Sequence, residues 1–192
     1  MAAERHTFLF GDLVGFTALT AAEGDDRAAE VALALQEHVQ EIAADYRAEA
    51  VKAIGDAMML RCDDPGLAVE LGLRIVEDLD AIPGFPPVRV GVHTGTAVHR
   101  NGDWYGGAVN VAARLCGAAG GGEVLVSEAT CEAAGRRKRV ALAPRRLHWL
   151  KNVTEPVAAH VASRRSCPWN RGRMVRVLGL LLAPALIWEV TR

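Results

Sequence analysis

The feature that most constrains the fold is a two-residue connection between two short apolar runs. Glu49–Ile54 and Ala57–Cys62 are separated only by Gly55 and Asp56. Because so short a link joins neighbouring strands only when they run in opposite directions, these runs predict a β-hairpin. A sheet that contains such a hairpin is not wholly parallel, so a doubly wound parallel sheet fits less well than a sandwich of helices on a mixed sheet.

Amphipathic helices and further strands surround this hairpin. Asp25 to about Tyr46 carries apolar residues every three or four positions, which predicts a helix, and Pro65–Leu79 has the same spacing. The other predicted elements are strands over Thr7–Phe10, Val88–Val98, Glu123–Val126, near Val140 and over Val157–Val161, a loop over Pro83–Pro87, a turn at Asn101-Gly102, a helix from about Ala108 to Ala118 and a short helix begun by Ser127–Thr130. We therefore predict an α/β (α+β) fold, a ferredoxin-like βαββαβ sandwich with extra C-terminal strands, whose mostly antiparallel central sheet is flanked by helices.

The length and a shift in composition predict one domain and a tail. A chain of 192 residues fits a single domain, and the composition changes after Ser163. We predict a domain over residues 1–163 and a tail over residues 164–192 that is first basic and then apolar. Val177–Trp188 holds 12 uncharged residues and contains Pro184, which is short of the ~20 residues that span a bilayer. Docking of this tail on the protein, disorder of the tail and a weak interfacial membrane anchor all remain open.

Charge and cysteine usage restrict the partners and the compartment. The net charge is −1, but residues 1–96 carry −10 and residues 97–192 carry +9. Such asymmetry fits a polyanionic partner, pairing of opposite halves of two chains, or an uneven solvated surface. The four cysteines form no C-x-x-C motif and the N-terminal apolar run is too short for a signal peptide, so we predict a cytoplasmic protein. The basic run 136–139 has no accompanying aromatic residues, which favours a solvated loop over nucleic-acid binding.

Two aspartates stand at turns beside apolar strands. Asp12 follows the run Phe8–Phe10, and Asp56 occupies the turn of the predicted hairpin. Each alone is as readily explained as a turn or capping aspartate. Together on neighbouring strands they indicate a site for a hard cation, since Mg²⁺ commonly uses one or two carboxylates plus substrate phosphates. The residues Gly15, Phe16 and Thr17 then predict the start of a short helix, whose free backbone N–H groups would face a phosphate.

A second candidate group lies on the predicted helix near residue 110. Asn110 and Arg114 are four residues apart, so a helix places them on one face, one turn apart. An arginine in this position can brace a phosphoryl group, and an asparagine can hydrogen-bond a sugar. A surface arginine and a polar asparagine in a packed helix are the alternative interpretation.

Four segments in this order resemble the catalytic domain of the class III adenylyl/guanylyl cyclases. The segments are "FGDLVGFT", "VKAIGDAMM", "RVGVHTG" and "GDWYGGAVNVAARL", and "LKNVTEPVAAHV" resembles the closing segment of that family. The resemblance covers roughly residues 6–162. It implies that Asp12 and Asp56 bind two metal ions, Mg²⁺ or Mn²⁺, at each active site. It further implies that Lys52 and Asp103 select adenine and that Asn110 and Arg114 stabilise the transition state.

The resemblance implies an adenylate cyclase that makes 3′,5′-cyclic AMP from ATP. Adenine offers an acceptor at N1 and a donor at its amino group, which match Lys52 and Asp103, whereas guanine reverses this pattern. Family members are head-to-tail homodimers in which the metal-binding acids come from one chain and the other site residues from its partner. The segment Thr96–Gly102 is shorter than in many relatives, and in the family this region contributes to the dimer interface.

Three alternatives to this activity remain open at the level of sequence. One is a guanylate cyclase, and another is a catalytically silent nucleotide-binding or dimerisation module that regulates a partner. The third is a phosphotransfer enzyme with Asp12 as its nucleophile, although that chemistry has no natural role for Asn110 and Arg114.

Overall fold

The computed structural model describes residues 4–165, which form ten strands and five α-helices. The strands are β1 (Arg5–Leu13), β2 (Ala48–Ile54), β3 (Ala57–Cys62), β4 (Val88–Thr96), β5 (Val98–Arg100), β6 (Asp103–Tyr105), β7 (Val124–Ser127), β8 (Val140–Leu142), β9 (Arg146–His148) and β10 (Val157–Arg164). The helices are α1 (Phe16–Glu23), α2 (Asp25–Ala43), α3 (Pro65–Asp80), α4 (Gly107–Ala118) and α5 (Glu128–Ala134). Across residues 4–165, none of these helices combines the length and apolar character that crossing a membrane requires.

The main sheet has the order β2-β3-β1-β4-β7-β10-β8, and β9 also pairs with β10. Its pairings are antiparallel except that of β4 with β7, which is parallel. The first four strands and their two long helices follow the βαββαβ order, and the strands from β7 onward extend the sheet. The predicted fold class is therefore confirmed. Strands β5 and β6 form a separate two-stranded sheet.

Several predicted boundaries differ from those in the structure. Strand β1 continues to Leu13, so Asp12 lies inside the strand and not after it. Helix α2 ends at Ala43 and continues as a 3₁₀ turn over Ala44–Tyr46, so the helical segment ends where predicted; Arg47, with a left-handed φ of 53°, terminates it. Strand β4 ends at Thr96, two residues before the predicted end. Thr96 pairs with Arg5, the first residue of β1, so residues after Thr96 would find no partner on β1.

Two further differences concern the short elements. Val98 belongs to the β5–β6 hairpin, whose predicted turn at Asn101-Gly102 is present with positive φ at both residues. Strand β9 was not predicted. Its three residues, Arg146–His148, are too few for an alternation of polar and apolar side chains to indicate a strand. The predicted tail from residue 166 onward, including Val177–Trp188, lies outside the described residues.

The two faces of the main sheet are covered by different helices. On β1, Leu9 and Leu13 belong to the core that α2 and α3 cover, whereas Phe8 and Phe10 pack on the opposite face with α4. Even-numbered residues of β1 therefore face α4, which places the Asp12 side chain on that face.

Helix α4 lies unusually close to the sheet. A Cβ atom added to Gly91 of β4 would lie 2.1 Å from the backbone nitrogen of Cys116 and 2.5 Å from the carbonyl oxygen of Ala112. Ala112 is fully buried at this contact. The small residues of both elements thus allow the close approach that fixes the position of α4 over β1 and β4.

Candidate functional site

The two predicted metal-binding aspartates are neighbours in the structure. Asp12 lies near the end of β1, directly opposite Ala57 of β3, and Asp56 occupies the turn that precedes Ala57. The antiparallel register of β1 and β3 therefore brings the turn carrying Asp56 to the end of β1. The two carboxylates are close enough for the charge of Asp12 to act on Asp56.

The electrostatics of this pair suit a cation. Burial raises the pKa of Asp56 above its ordinary value, and the neighbouring charge of Asp12 raises it further. Two carboxylates held this close repel each other when both are ionised, and a divalent cation between them removes that repulsion. Among residues 4–165 no cluster of three or more His, Cys, Asp or Glu side chains is placed to hold a metal. Asp12 and Asp56 thus fit a cation that takes its remaining ligands from substrate phosphates, water or backbone oxygens.

Arg89 occupies one oxygen of Asp12. The residue lies on β4 directly opposite Asp12, and its Nε and Nη2 donate to Oδ2 of Asp12 at 2.9 and 2.5 Å. Its Nη1 also donates to the carbonyl oxygen of Gly117 in the last turn of α4, at 3.2 Å. Arg89 therefore neutralises Asp12 and connects it to α4.

Lys52 and Asp103 form a second pair, as the resemblance implies for a base-reading site. The Nζ atom of Lys52 on β2 donates to Oδ2 of Asp103 at 2.5 Å, and the backbone N–H of Trp104 donates to Oδ1 at 2.8 Å. The hydrogen bond from Lys52 is the main reason that the pKa of Asp103 lies below its ordinary value. Lys52 keeps two further N–H donors and Asp103 keeps free lone pairs, so the pair still offers a donor and an acceptor side by side.

Asn110 and Arg114 lie on α4 as predicted, and both are exposed. They are one helical turn apart on the same face. Within the described part of the chain, neither side chain makes a hydrogen bond or an ion pair. Both side chains are thus available to a ligand approaching α4 from solvent.

The predicted short helix after Asp12 is present as α1. Gly15 precedes it in a left-handed conformation with φ 80°, which a residue with a Cβ adopts only with strain, and Phe16 and Thr17 form its first turn. Phe16 is partly buried against the main core, while Thr17 is exposed. The first backbone N–H groups of α1 therefore follow Asp12 closely in the chain.

The two paired groups lie at opposite ends of α4 within one chain. Asp12 reaches the last turn of α4 through Arg89, whereas Asp103 lies four residues before Gly107, where the helix begins. The ten steps from Gly107 to Gly117 correspond to about 15 Å of helix. Lys52 and Asp56 are likewise apart in the β2–β3 hairpin, since Lys52 lies within β2 and Asp56 in the turn that follows it.

Sequence reasoning did not single out Arg89 or Trp104. One signal could have found Arg89. Its neighbours Val88 and Val90 face the core that α2 and α3 cover, so the alternation along the strand places Arg89 on the opposite face, which it shares with Asp12. Trp104 directly follows Asp103, and its packing against His6 and Phe8 distinguishes it.

Residues 2–153 match the protein family described as the adenylate and guanylate cyclase catalytic domain. A pH-sensitive adenylate cyclase of Mycobacterium tuberculosis is 43% identical over 136 residues, which cover 69% of this chain and 33% of that protein. An adenylate cyclase of Streptomyces griseus is 36% identical over 129 residues, which cover 67% of this chain and 32% of that protein. The chain thus spans about a third of the length of these curated relatives.

Experimental structures of similar fold include proteins described as cyclases. The adenylyl cyclase CyaB of P. aeruginosa superimposes with a TM-score of 0.72 at 20% identity, covering 86% of this chain and 98% of that one. An adenylate/guanylate cyclase/hydrolase from Silicibacter pomeroyi gives a TM-score of 0.72 at 27% identity, covering 83% and 97%.

Proposed function

Because the chain belongs to the adenylate and guanylate cyclase catalytic domain family, we propose that it converts ATP to 3′,5′-cyclic AMP and diphosphate, as the basis of a signalling role. The observation that carries this proposal is the juxtaposition of Asp12 and Asp56 at the end of β1. The strand register forces these two acids together, and no packing requirement of the core calls for a carboxylate at either position.

The proposed reaction is attack of the ribose 3′-oxygen on the α-phosphorus, with diphosphate leaving in line. Asp12 and Asp56 would hold Mg²⁺ or Mn²⁺, two ions per active site; bound there, these ions supply charge stabilisation for the attacking and leaving oxygens. Arg89, which donates to Oδ2 of Asp12, would compete with a cation for that oxygen.

The residues of α4 act on the other side of the nucleotide. Arg114 offsets the charge that develops on the α-phosphoryl oxygens, a contribution of ~3 kcal/mol, or about 10²-fold in rate, for one well-placed donor. Asn110 hydrogen-bonds the ribose and keeps the 3′-oxygen near its attack position. The exposure of both side chains leaves them open to a substrate that binds against α4.

Base selection rests on Lys52 and Asp103. Lys52 donates to N1 of adenine, and Asp103 accepts from the exocyclic amino group. Guanine presents a donor at N1 and an acceptor at its carbonyl oxygen. The donor Lys52 would then face a donor, and the acceptor Asp103 would face an acceptor. ATP is therefore the proposed substrate.

The separation of the two pairs within one chain supports a shared active site. The base and the α-phosphate of one nucleotide are linked through a single ribose, whereas Lys52–Asp103 and Asp12–Asp56 lie at opposite ends of α4. We infer a head-to-tail homodimer in which the acids of one chain work with Lys52, Asp103, Asn110 and Arg114 of its partner. Each dimer then contains two equivalent sites.

A turnover assay tests the proposed activity. The full chain is incubated with ATP and either MgCl₂ or MnCl₂, and the products are separated by chromatography and identified against authentic 3′,5′-cyclic AMP. We expect cyclic AMP and diphosphate in equal amounts from the wild type and none from Asp56→Ala. Asp45→Ala, which removes an aspartate of the exposed turn after α2, is the matched control and keeps activity. A folded wild type that forms no cyclic nucleotide with either metal contradicts the proposal.

A further inference from the structure

The hairpin that carries Asp103 is not part of the main sheet. Among the described residues, strands β5 and β6 pair only with each other, through Val98↔Tyr105, His99↔Trp104 and Arg100↔Asp103. No backbone ladder therefore fixes the hairpin relative to β2, the strand that carries Lys52. The 2.5 Å contact between Lys52 and Asp103 joins two separate sheets, so it depends on how the hairpin docks.

The docking contact is made by the indole ring of Trp104. Its centroid lies 4.4 Å from the ring of His6 at an interplanar angle of 64° and 5.7 Å from the ring of Phe8 at 61°. Both are edge-to-face contacts with residues of β1, which is a central strand of the main sheet. The guanidinium of Arg61 on β3 lies 5.2 Å from the same indole centroid, a cation–π distance.

The groups that receive the indole are themselves held in place. Phe8 is fully buried and His6 is 7% exposed. Nδ1 of His6 lies 3.2 Å from Oδ1 of Asp63 and 3.4 Å from Nε of Arg61. Trp104 thus packs against buried side chains of the main sheet, and Asp103 is the residue next to it in the hairpin.

We propose that the indole of Trp104 is a positioning group that holds Asp103 opposite Lys52 and thereby sets the preference for adenine over guanine. This inference rests on the proposed function, because it assigns a role to a residue that supports the base-reading pair. Trp104 acts through Asp103: its own backbone N–H donates to Oδ1 of Asp103, so a shift of the ring moves the donor and the carboxylate together. Loss of the ring lets the hairpin slide on β1, and the donor and acceptor no longer match one edge of the base.

The experiment compares ATP and GTP as substrates for Trp104→Ala, Trp104→Phe and Trp149→Ala. Trp149 is 78% exposed and lies outside the hairpin, so its substitution is the matched control. We expect the ratio of kcat/KM for ATP to that for GTP to fall about tenfold in Trp104→Ala, which corresponds to the loss of one well-placed hydrogen bond. Trp104→Phe keeps most of the preference because a phenyl ring still packs on His6 and Phe8, and Trp149→Ala leaves it unchanged.

The ratio separates positioning from a general folding defect. Partial unfolding lowers the active fraction and so reduces the rates with both nucleotides in proportion. A Trp104→Ala variant that loses rate with ATP and GTP equally, and so keeps the wild-type ratio, overturns the inference.

A second measurement does not require turnover. The carboxyl carbon of Asp103 is titrated by NMR in the wild type, in Trp104→Ala and in Trp149→Ala. Contact with Lys52 holds the pKa of Asp103 below its ordinary value in the wild type, and we expect this pKa to rise toward the ordinary value in Trp104→Ala only. An Asp103 pKa that is the same in all three proteins overturns the inference. Absence of cyclase activity in the wild type contradicts the proposed function instead, and the titration then tests only whether Trp104 positions Asp103 opposite Lys52.

Discussion

At the scale of single residues, the candidate site consists of side chains that lie in pairs. Asp12 and Asp56 were predicted from sequence as a pair on neighbouring strands, and the family resemblance paired Lys52 with Asp103. The structure brings the members of each pair together. The arginine on Asp12 was the unexpected element. Each pairing leads to a change that can be measured.

Removal of the base-reading lysine is expected to weaken the use of ATP. Lys52→Met deletes the donor to adenine N1 and leaves Asp103 without its cation, so kcat/KM for ATP falls by about 10- to 100-fold, in keeping with ~1–3 kcal/mol for an unpaired polar group. Steady-state kinetics measure this effect. Lys138→Met, which changes a lysine of the exposed loop after α5, serves as control and keeps the wild-type value. A Lys52→Met enzyme with unchanged kcat/KM for ATP contradicts the assignment.

Removal of Arg89 is expected to strengthen metal binding by the nucleotide-free protein. Arg89 neutralises Asp12, and Arg89→Ala frees that oxygen and removes a positive charge from the site. We expect Mn²⁺ to bind severalfold more tightly, equivalent to ~1 kcal/mol, as measured by the loss of the free Mn²⁺ signal in electron paramagnetic resonance. The control is Arg145→Ala, which removes a surface ion pair with Glu128. Equal or weaker Mn²⁺ binding by Arg89→Ala would show that the arginine does not compete for Asp12.

At the scale of elements, the close approach of α4 to β4 positions Asn110 and Arg114. Gly91→Ala places a Cβ 2.1 Å from the backbone of Cys116, so helix and strand must move apart. We expect the free energy of unfolding to fall by about 1–3 kcal/mol, as for other overpacked sites, and cyclase activity to fall with it. Urea denaturation of this variant and of Gly117→Ala measures the effect. Gly117 lies in α4, and a Cβ added to it would meet no other atom within 4 Å. The Gly117→Ala substitution is therefore expected to be neutral or stabilising.

Elements with a regular apolar period were predictable, and elements defined by their partners were not. The β2–β3 hairpin and α3 follow from local pattern, and the structure has them within one residue of the predicted bounds. The end of β4 and the separate β5–β6 hairpin depend on where β1 begins and on how Trp104 packs. These are contacts between distant parts of the chain, which a local pattern does not encode. The same reason explains why Asp12 and Asp56 were predictable as acids at strand ends while Arg89 was not.

At the scale of the whole molecule, one partly buried histidine, His93, links stability to pH. Burial lowers the pKa of His93 to about 4, while its Nδ1 lies 2.8 Å from the hydroxyl of Ser127. Because the folded pKa lies below the ordinary value of 6.5, this histidine contributes stability above pH 6.5 and loses it as the pH falls toward 4. The resulting decrease in the free energy of unfolding is ~3 kcal/mol at most.

The matching variant is His93→Gln, which keeps a hydrogen-bonding group but does not titrate. Urea midpoints at pH 7 and pH 4.5 are expected to differ less for His93→Gln than for the wild type. Identical pH dependence of the two proteins would show that His93 does not carry the effect.

The central claim for the whole molecule is that two chains build each active site. The most direct test mixes two inactive variants, Asp56→Ala and Arg114→Ala, after each is shown to be folded and dimeric. A mixed dimer has one site with intact acids from one chain and an intact arginine from the other, so random mixing is expected to restore cyclic AMP formation to about one quarter of the wild-type rate. If the mixture of folded, dimeric variants stays as inactive as each variant alone, the shared-site account is wrong.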